Sequence, residues 1–278
     1  MHFIFFVPSS LTTSAYKSAH FHLCVQILQP RRHFQHYHEI YIMSFSCLTY
    51  CANYATRSRC RFIELVGEAP CPDMTNADQL ESFGKHLEEL KTAGLVSEDS
   101  GLNPATGKPV KCTRFRISDN YTRFYLKYIR PNEHMIDRDA FRFNTLEVLP
   151  GWQTILGLQF ENLVLNNLPL LLPRLGLDRV LLKSTAPWRQ LPTTRKKGCQ
   201  IDLLLQSERS VCIVEIKRRN TIGPEIEEEI SRKIKALSLP RDISVRTALV
   251  YDGNLSPSVE ARGYFDAIIP ADNLLRDV

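Results

Sequence analysis

The sequence predicts an α/β protein in two parts: a helical module closed by a β-hairpin, then a mixed β-sheet flanked by helices. Three observations predict it. Two strand-length apolar runs, Ile201–Leu205 and Val211–Ile216, lie on either side of Ser207-Glu208-Arg209-Ser210, which reads as a hairpin turn. Phe83, Leu87 and Leu90 recur at helical spacing ahead of Gly94, and a second hairpin follows them. The length, 278 residues, permits one large or two small domains.

Residues 1–52 differ from the rest. Six of the eight histidines fall there, His2, His20, His22, His33, His36 and His38, with no sustained helical or strand period. Their irregular spacing offers no recognisable ligand geometry. The segment is expected to be a disordered extension from a misassigned start, with Met43 the alternative initiator. The opening apolar run Met1–Val7 lacks a basic flank and is too short for a signal peptide. Nowhere is there an apolar run long enough to cross a bilayer, so no membrane partner is expected. The eight cysteines form no CxxC pair, and reduced thiols in a cytoplasmic protein are the expectation.

Residues 53–142 read as a winged helix-turn-helix with one further helix. Arg59–Gly67 is the expected first helix, ended by Pro70-Cys71-Pro72, and Thr75 or Asn76 can cap a short second one. Ser82–Gly94 is the third. The pattern Leu-x-x-Leu-x-x-x-Gly-Leu-Val, Leu87 to Val96, lets that helix pack into the hairpin behind it. A strand begins at Leu95–Glu98, Asn103–Pro109 forms the wing, and Lys111–Ile117 returns. The third helix sets Glu81, Glu88 and Glu89 against Lys85, His86 and Lys91, a poor balance for approaching phosphates. The wing is better supplied, with Lys108, Lys111, Arg114 and Arg116 as candidate nucleic-acid contacts; an interdomain or protein-contact role is the competing reading. Ser118 or Asp119 can cap the helix that follows, whose Phe124, Tyr125 and Tyr128 suit a core better than base stacking.

Residues 143–278 carry the chemistry. Asp202 interrupts the first apolar run, and Glu215 and Lys217 close the second. Residues two apart on a strand share a face, so Glu215 and Lys217 point one way while Cys212, Val214 and Ile216 point the other. A buried carboxylate without a partner is costly, and such groups pair, bind a metal or shift their pKa. Two carboxylates and an amine converging on a sheet surface make a divalent-metal site with a lysine beside it; an exposed cross-strand ion pair is the plainer alternative.

The pattern Asp…Glu-x-Lys across a hairpin resembles the PD-(D/E)XK nuclease superfamily over roughly Gly151 to Val278, with Ile201 where that motif often has proline. The resemblance implies a restriction-endonuclease-like mixed sheet flanked by helices, following the winged helix, with a helix through Gly157–Val164 before the hairpin, another through Pro224–Leu237 after it, and strands at Val245–Tyr251 and Phe265–Ile269. It implies metal-assisted phosphodiester hydrolysis, with Mg²⁺ (or Mn²⁺) held by Asp202 and Glu215, Glu161 as a further ligand and Lys217 orienting water or stabilising charge on the phosphate. The stretch Arg116-Ile-Ser-Asp-x-x-x-Arg-Phe-Tyr125, between a winged helix and a Gly-x-x-Phe-Glu helix, resembles the C-terminal half of archaeal-type AAA/STAND ATPases. The chain has no G-x-x-x-x-G-K-[ST], so ATP binding is not expected, and it reads as a detached part of such a protein whose partners would include DNA, a separate ATPase or a second copy of itself.

Charge supports this reading only locally. Residues 1–64 hold six basic and two acidic side chains, so +4 of the formal +5 belongs to them. Arg189, Arg195, Lys196 and Lys197 before the Asp202 strand, with Arg218 and Arg219 after Lys217, form a basic rim suited to a phosphate backbone or, equally, two solvated loops. The expected function is a Mg²⁺-dependent DNA endonuclease-like protein; the alternatives are a non-catalytic nucleic-acid or partner-binding module, and a winged-helix transcriptional regulator.

Overall fold

The computed structural model describes residues 61–62, 85, 87–110, 114–143, 145–177, 181–190, 192, 194 and 197–274. The expected extension over 1–52, the short helix capped at Thr75 or Asn76, and Lys111, Arg195 and Lys196 lie outside them, as does the side chain of Arg114.

The architecture is mixed α/β. Strands β1 (Arg61–Phe62), β2 (Val96–Asp99) and β3 (Arg114–Ile117) make a small sheet in the order β1-β3-β2. A helical segment at 87–92, α1, leads into it. Gly94 ends α1 at φ +75°, a conformation other residues rarely adopt, and its turn is closed by the Leu95 N–H donating to the Leu90 carbonyl at 3.0 Å. Leu87, Leu90, Val96 and Phe115 then bury together, which explains the spacing of that pattern. One expectation is corrected here. Arg61–Phe62 is not helical but pairs in parallel with Arg114–Phe115. The outer edge of β3 needs partners for its backbone groups, and a long-range ladder supplies them where local spacing suggested a helix.

Asp119, of the two candidates, caps the next helix α2 (Asn120–Phe124), accepting from the Thr122 N–H at 2.6 Å. The chain continues as a π-turn through Tyr125–Ile129 and, past Pro131, as a short helix α3 (Glu133–Ile136). Phe124 and Tyr128 pack with Leu149, Trp152 and Ile155, so these aromatics are core, as their pattern suggested.

The second sheet has the order β4-β5-β6-β7-β8: β4 (Ser184–Gln190), β5 (Cys199–Gln206), β6 (Ser210–Ile222), β7 (Ser244–Leu255) and β8 (Ala267–Pro270). The first three pair antiparallel and the last three parallel, so the sheet is mixed. The Ser207–Ser210 turn closes as expected, with the Ser207 N–H donating to the Ser210 carbonyl at 2.9 Å. The sequence reading did not mark β4 as a strand and placed Arg189 in a loop; it belongs to β4, opposite Gln200. Pro187 hides this strand. It falls where the β4–β5 register shifts between Ala186 and Trp188, on an edge, the position in which a sheet tolerates proline.

Helices cover both faces. On one, Phe160, Val164 and Leu165 of α4 (Trp152–Asn166), with Leu171 of α5 (Leu168–Leu171), meet Leu203, Leu205, Cys212, Val214 and Ile216. On the other, Ile226, Ile230 and Leu237 of α6 (Glu225–Leu237) meet Ile201, Leu204, Val211 and Ile213. Each fully buried aliphatic side chain in these layers stabilises the fold by about 2 kcal/mol. Glutamates 225, 227 and 228 in the first turn of α6 and Lys235 in the last complement its dipole. Farther along, β6 shifts register between Arg218 and Thr221, where Gly253 of β7 passes close. A Cβ at Gly253 would lie 1.7 Å from the Arg219 carbonyl oxygen, so only glycine lets the two backbones approach there.

Among the described residues no single helix is long and apolar enough to cross a membrane. Only α4 with the following 168–175 segment passes such a test, as a pair bent by 77°, and Phe160, Val164, Leu165, Leu171, Leu172 and Leu175 within it are buried on the sheet.

Candidate active site

The site lies where the β5–β6 ladder ends. Backbone pairing runs from Gln206↔Val211 to Leu203↔Val214. One residue farther, the Asp202 carboxylate takes the place of a backbone acceptor: its Oδ2 accepts from the Ile216 N–H at 2.9 Å. The chain of β5 is therefore held to β6 by a side chain at the point where Glu215 emerges. Alternation puts Glu215 and Lys217 on the α6 face, opposite Cys212, Val214 and Ile216, as the strand period required.

Glu215 is fully buried, at 0% relative exposure, and burial is what makes its surroundings decisive. Lys217 Nζ stands 2.6 Å from its Oε1. Lys233 Nζ, from α6, stands 2.7 Å from both its oxygens. Both ammonium groups also reach Glu229 Oε1, Lys217 at 3.1 Å and Lys233 at 3.2 Å. Lys233 and Glu229 were not singled out from the sequence. Their signal was present, since Glu229 and Lys233 are an i,i+4 pair on an amphipathic helix, but such pairs ordinarily face solvent. Only the packing of Ile226 and Ile230 against the sheet turns this pair inward.

The electrostatics follow from burial. Burial pushes the Asp202 carboxyl above the usual carboxylate range, against the pull of Lys233, the Ile216 N–H and Lys217. Burial, then the nearby Asp202 charge, pushes Glu215 up as well, although both lysines pull it down. Burial works to lower the Lys217 pKa, but Glu215, Asp202 and Glu229 together outweigh it and hold the ammonium charged above its ordinary value. For Glu229 burial is outweighed by Lys217 and Lys233, and its carboxyl is held below the usual range. Three carboxyl groups thus share two ammonium groups, an arrangement with an affinity for additional positive charge.

Glu161 is placed differently. It stands half-buried on α4, whose neighbouring Phe160 and Val164 pack on the opposite face of the sheet from Lys233. Among the described residues no set of three or more His, Cys, Asp or Glu side chains is gathered to hold a metal.

The expected basic residues divide into two groups. Lys108 at the tip of the wing, Lys197 before β5 and Arg219 after the site are exposed. Arg218 instead pairs with Asp252 at 2.9 Å and donates to the Gln153 side chain at 2.9 Å. Arg116, a candidate phosphate contact, turns inward. Its guanidinium pairs with Asp99 at 3.2 Å and donates to Asn162 at 2.5 Å and Asn166 at 3.0 Å of α4, leaving the side chain 11% exposed. The Asn162 amide in turn donates to the Ile117 carbonyl at 2.8 Å and to Asn120 at 3.1 Å. Gln206 reaches across to the Leu102 carbonyl at 2.7 Å. The β2–β3 hairpin is therefore docked on the larger sheet and on α4.

The two described cysteines are free; burial pushes the Cys212 thiol up to about 11, so it is an inert core group.

No family model matches the chain, and no curated protein matches it. Among solved structures, a crystal structure of protein VC1899 from Vibrio cholerae aligns over 83% of this chain at 14% identity and a TM-score of 0.32. This chain spans 48% of that structure's length.

Proposed function

We propose that the chain is a metal-dependent DNA phosphodiester hydrolase, a winged helix-turn-helix (53–142) joined to a restriction-endonuclease-like domain (143–278). The observation that carries the reading is the convergence of Asp202, Glu215 and Lys217 where the β5–β6 ladder gives way to the Asp202 side chain. Two neighbouring carboxylates are the oxygen donor set that Mg²⁺ or Mn²⁺ takes while keeping several waters, so the residues fit such an ion. When bound, it would polarise the scissile phosphate and acidify a water.

The chain's own residues would do the rest. Asp202 and Glu215 would hold the ion, and the Ile216 N–H would fix the Asp202 rotamer. Lys217, held charged by three carboxyl groups, would meet negative charge developing on the phosphate and orient the attacking water. Exposed Lys108, Lys197 and Arg219 would contact the backbone of the DNA.

One observation favours a second reading, a non-catalytic nucleic-acid or partner-binding module: both Glu215 oxygens are occupied by ammonium groups. Incubating the protein with single-stranded, duplex and branched DNA in Mn²⁺ separates the two. Cleavage that is lost in Asp202→Ala, Glu215→Gln and Lys217→Ala supports hydrolysis. Binding without cleavage, unchanged by those substitutions, supports the module and overturns the enzyme.

A further inference from the structure

Lys233 raises a question that the hydrolytic set of Asp202, Glu215 and Lys217 leaves open. Its Nζ lies 2.7 Å from each oxygen of the fully buried Glu215, a two-pronged position that a hard cation takes on a bidentate carboxylate. Lys217 already occupies Oε1 of the same carboxylate at 2.6 Å. A divalent cation and two ammonium groups cannot crowd one buried carboxylate, because like charges a few ångströms apart repel strongly in a medium poorer than water. One ammonium must leave.

Geometry selects which one. Lys217 rises from β6 two residues beyond Glu215 on the same face, so its stem keeps its head beside that carboxylate. Lys233 is anchored instead on α6, one turn beyond Glu229; both ammonium groups touch Glu229 Oε1, Lys217 at 3.1 Å and Lys233 at 3.2 Å, but only Lys233 is carried by the same helix one turn away. A side-chain rotation takes it off Glu215 while retaining a partner, and Glu229 is the more open of its two carboxylates, at 30% exposure against 0%.

We propose that Lys233 is a tethered counter-ion of Glu215 that a hard divalent cation displaces onto Glu229. This rests on the metal-dependent reading above and adds to it the reason the site folds without a metal. The ammonium compensates Glu215 until the ion arrives, and the ion binds against that competitor. Glu229 serves as a docking point for the displaced lysine rather than as a ligand.

The test is Mn²⁺ binding to the full chain with no nucleic acid present, read by calorimetry and by the paramagnetic resonance signal of free Mn²⁺. Lys233→Met removes the competitor and keeps the apolar stem; it should bind on the order of tenfold tighter than the unaltered protein. Glu229→Gln removes the docking point and should bind severalfold more weakly. The double variant should match Lys233→Met, because without the ammonium the docking point is idle. Lys233→Gln, which still donates a hydrogen bond to Glu215, should move in the same direction if the methionine variant fails to fold. Unchanged or weaker binding in the position-233 variants overturns the displacement, and so does a double variant weaker than Lys233→Met, which would make Glu229 a ligand. Absence of Mn²⁺ binding in every form overturns it together with the metal-dependent reading. These shifts without DNA cleavage would sink the hydrolase and leave the displacement standing.

Discussion

Helices α4 and α6 both bring polar groups into buried contact with the rest of the molecule, and they do so in opposite ways. Along α4, Gln159, Asn162 and Asn166 meet Arg116, Ile117, Ser118 and Asn120 in a seam where side-chain amide and guanidinium donors each find an oxygen acceptor. Along α6, Glu229 and Lys233 meet Asp202, Glu215 and Lys217 with more carboxyl than ammonium groups. A matched seam holds two parts of the chain in register and has nothing left to offer a ligand. The unbalanced cluster keeps a standing attraction for a cation. Buried polarity marks a site when its charges do not cancel, and a joint when they do.

The largest expected effect tests the cluster. Glu215→Ala removes the fully buried carboxylate that holds both ammonium groups and leaves Lys217 and Lys233 crowded on Glu229, and should destabilise the protein by about 3 kcal/mol in urea unfolding. A loss under about 1 kcal/mol would show that the charges are not held as described. The seam should be nearly as sensitive. Asn162→Ala removes one of two donors to the Ile117 carbonyl, Arg123 supplying the other, and takes away a partner of Arg116, for an expected cost of about 1–3 kcal/mol. Paired with Arg116→Ala in a double-mutant cycle, it should show coupling of about 0.5–3 kcal/mol while leaving Mn²⁺ affinity unchanged. A change in Mn²⁺ affinity would break the distinction between site and joint.

The pH dependence should separate the two regions next. Asp202 and Glu215 have folded-state pKa values raised above those of the unfolded chain, so the folded protein takes up protons more readily there. Their contribution to stability therefore grows as pH falls from neutrality toward the ordinary carboxylate range of roughly 4. Glu229 runs the other way: its lowered pKa gives stability present above its unfolded value and lost only as pH falls through the folded one. Lys217 is raised, so its contribution holds at low pH and is lost as pH rises through its folded value. Thermal unfolding without metal should thus show Glu215→Gln flattening the pH dependence above the ordinary carboxylate range, whereas Mn²⁺ affinity should weaken as pH falls through that region. The Asn162 amide does not titrate, and the cost of Asn162→Ala should be constant across it.

The smallest effect concerns the exposed rim. Arg219→Ala and Lys197→Ala should change stability by no more than about 0.5 kcal/mol. Each should lower the slope of log DNA affinity against log salt by about one if the residue contacts a phosphate. An unaltered slope would remove that residue from the interface.

Much of this was legible before the structure. The period of two in Val211–Lys217 placed Glu215 and Lys217 together, because alternation along a strand is a property of the backbone and needs no partner. The helices through Gly157–Val164 and Pro224–Leu237 were expected from the order of elements that the resemblance implies around the hairpin, and α4 extends farther at both ends, Trp152–Asn166. Strand β4 was hidden by Pro187, and the strand at Arg61–Phe62 by a helical spacing that long-range pairing overrides. The sequence by itself thus determined which face of β6 carries charge, since this follows from local periodicity. Tertiary structure alone decided who meets that charge. It turned an ordinary i,i+4 pair, Glu229 and Lys233, inward onto Glu215, drew Arg116 away from solvent into the seam on α4, and left Glu161 on the helix of the other face. The docking of a helix on a sheet is set by complementary surfaces far apart in the chain, and no local period records it.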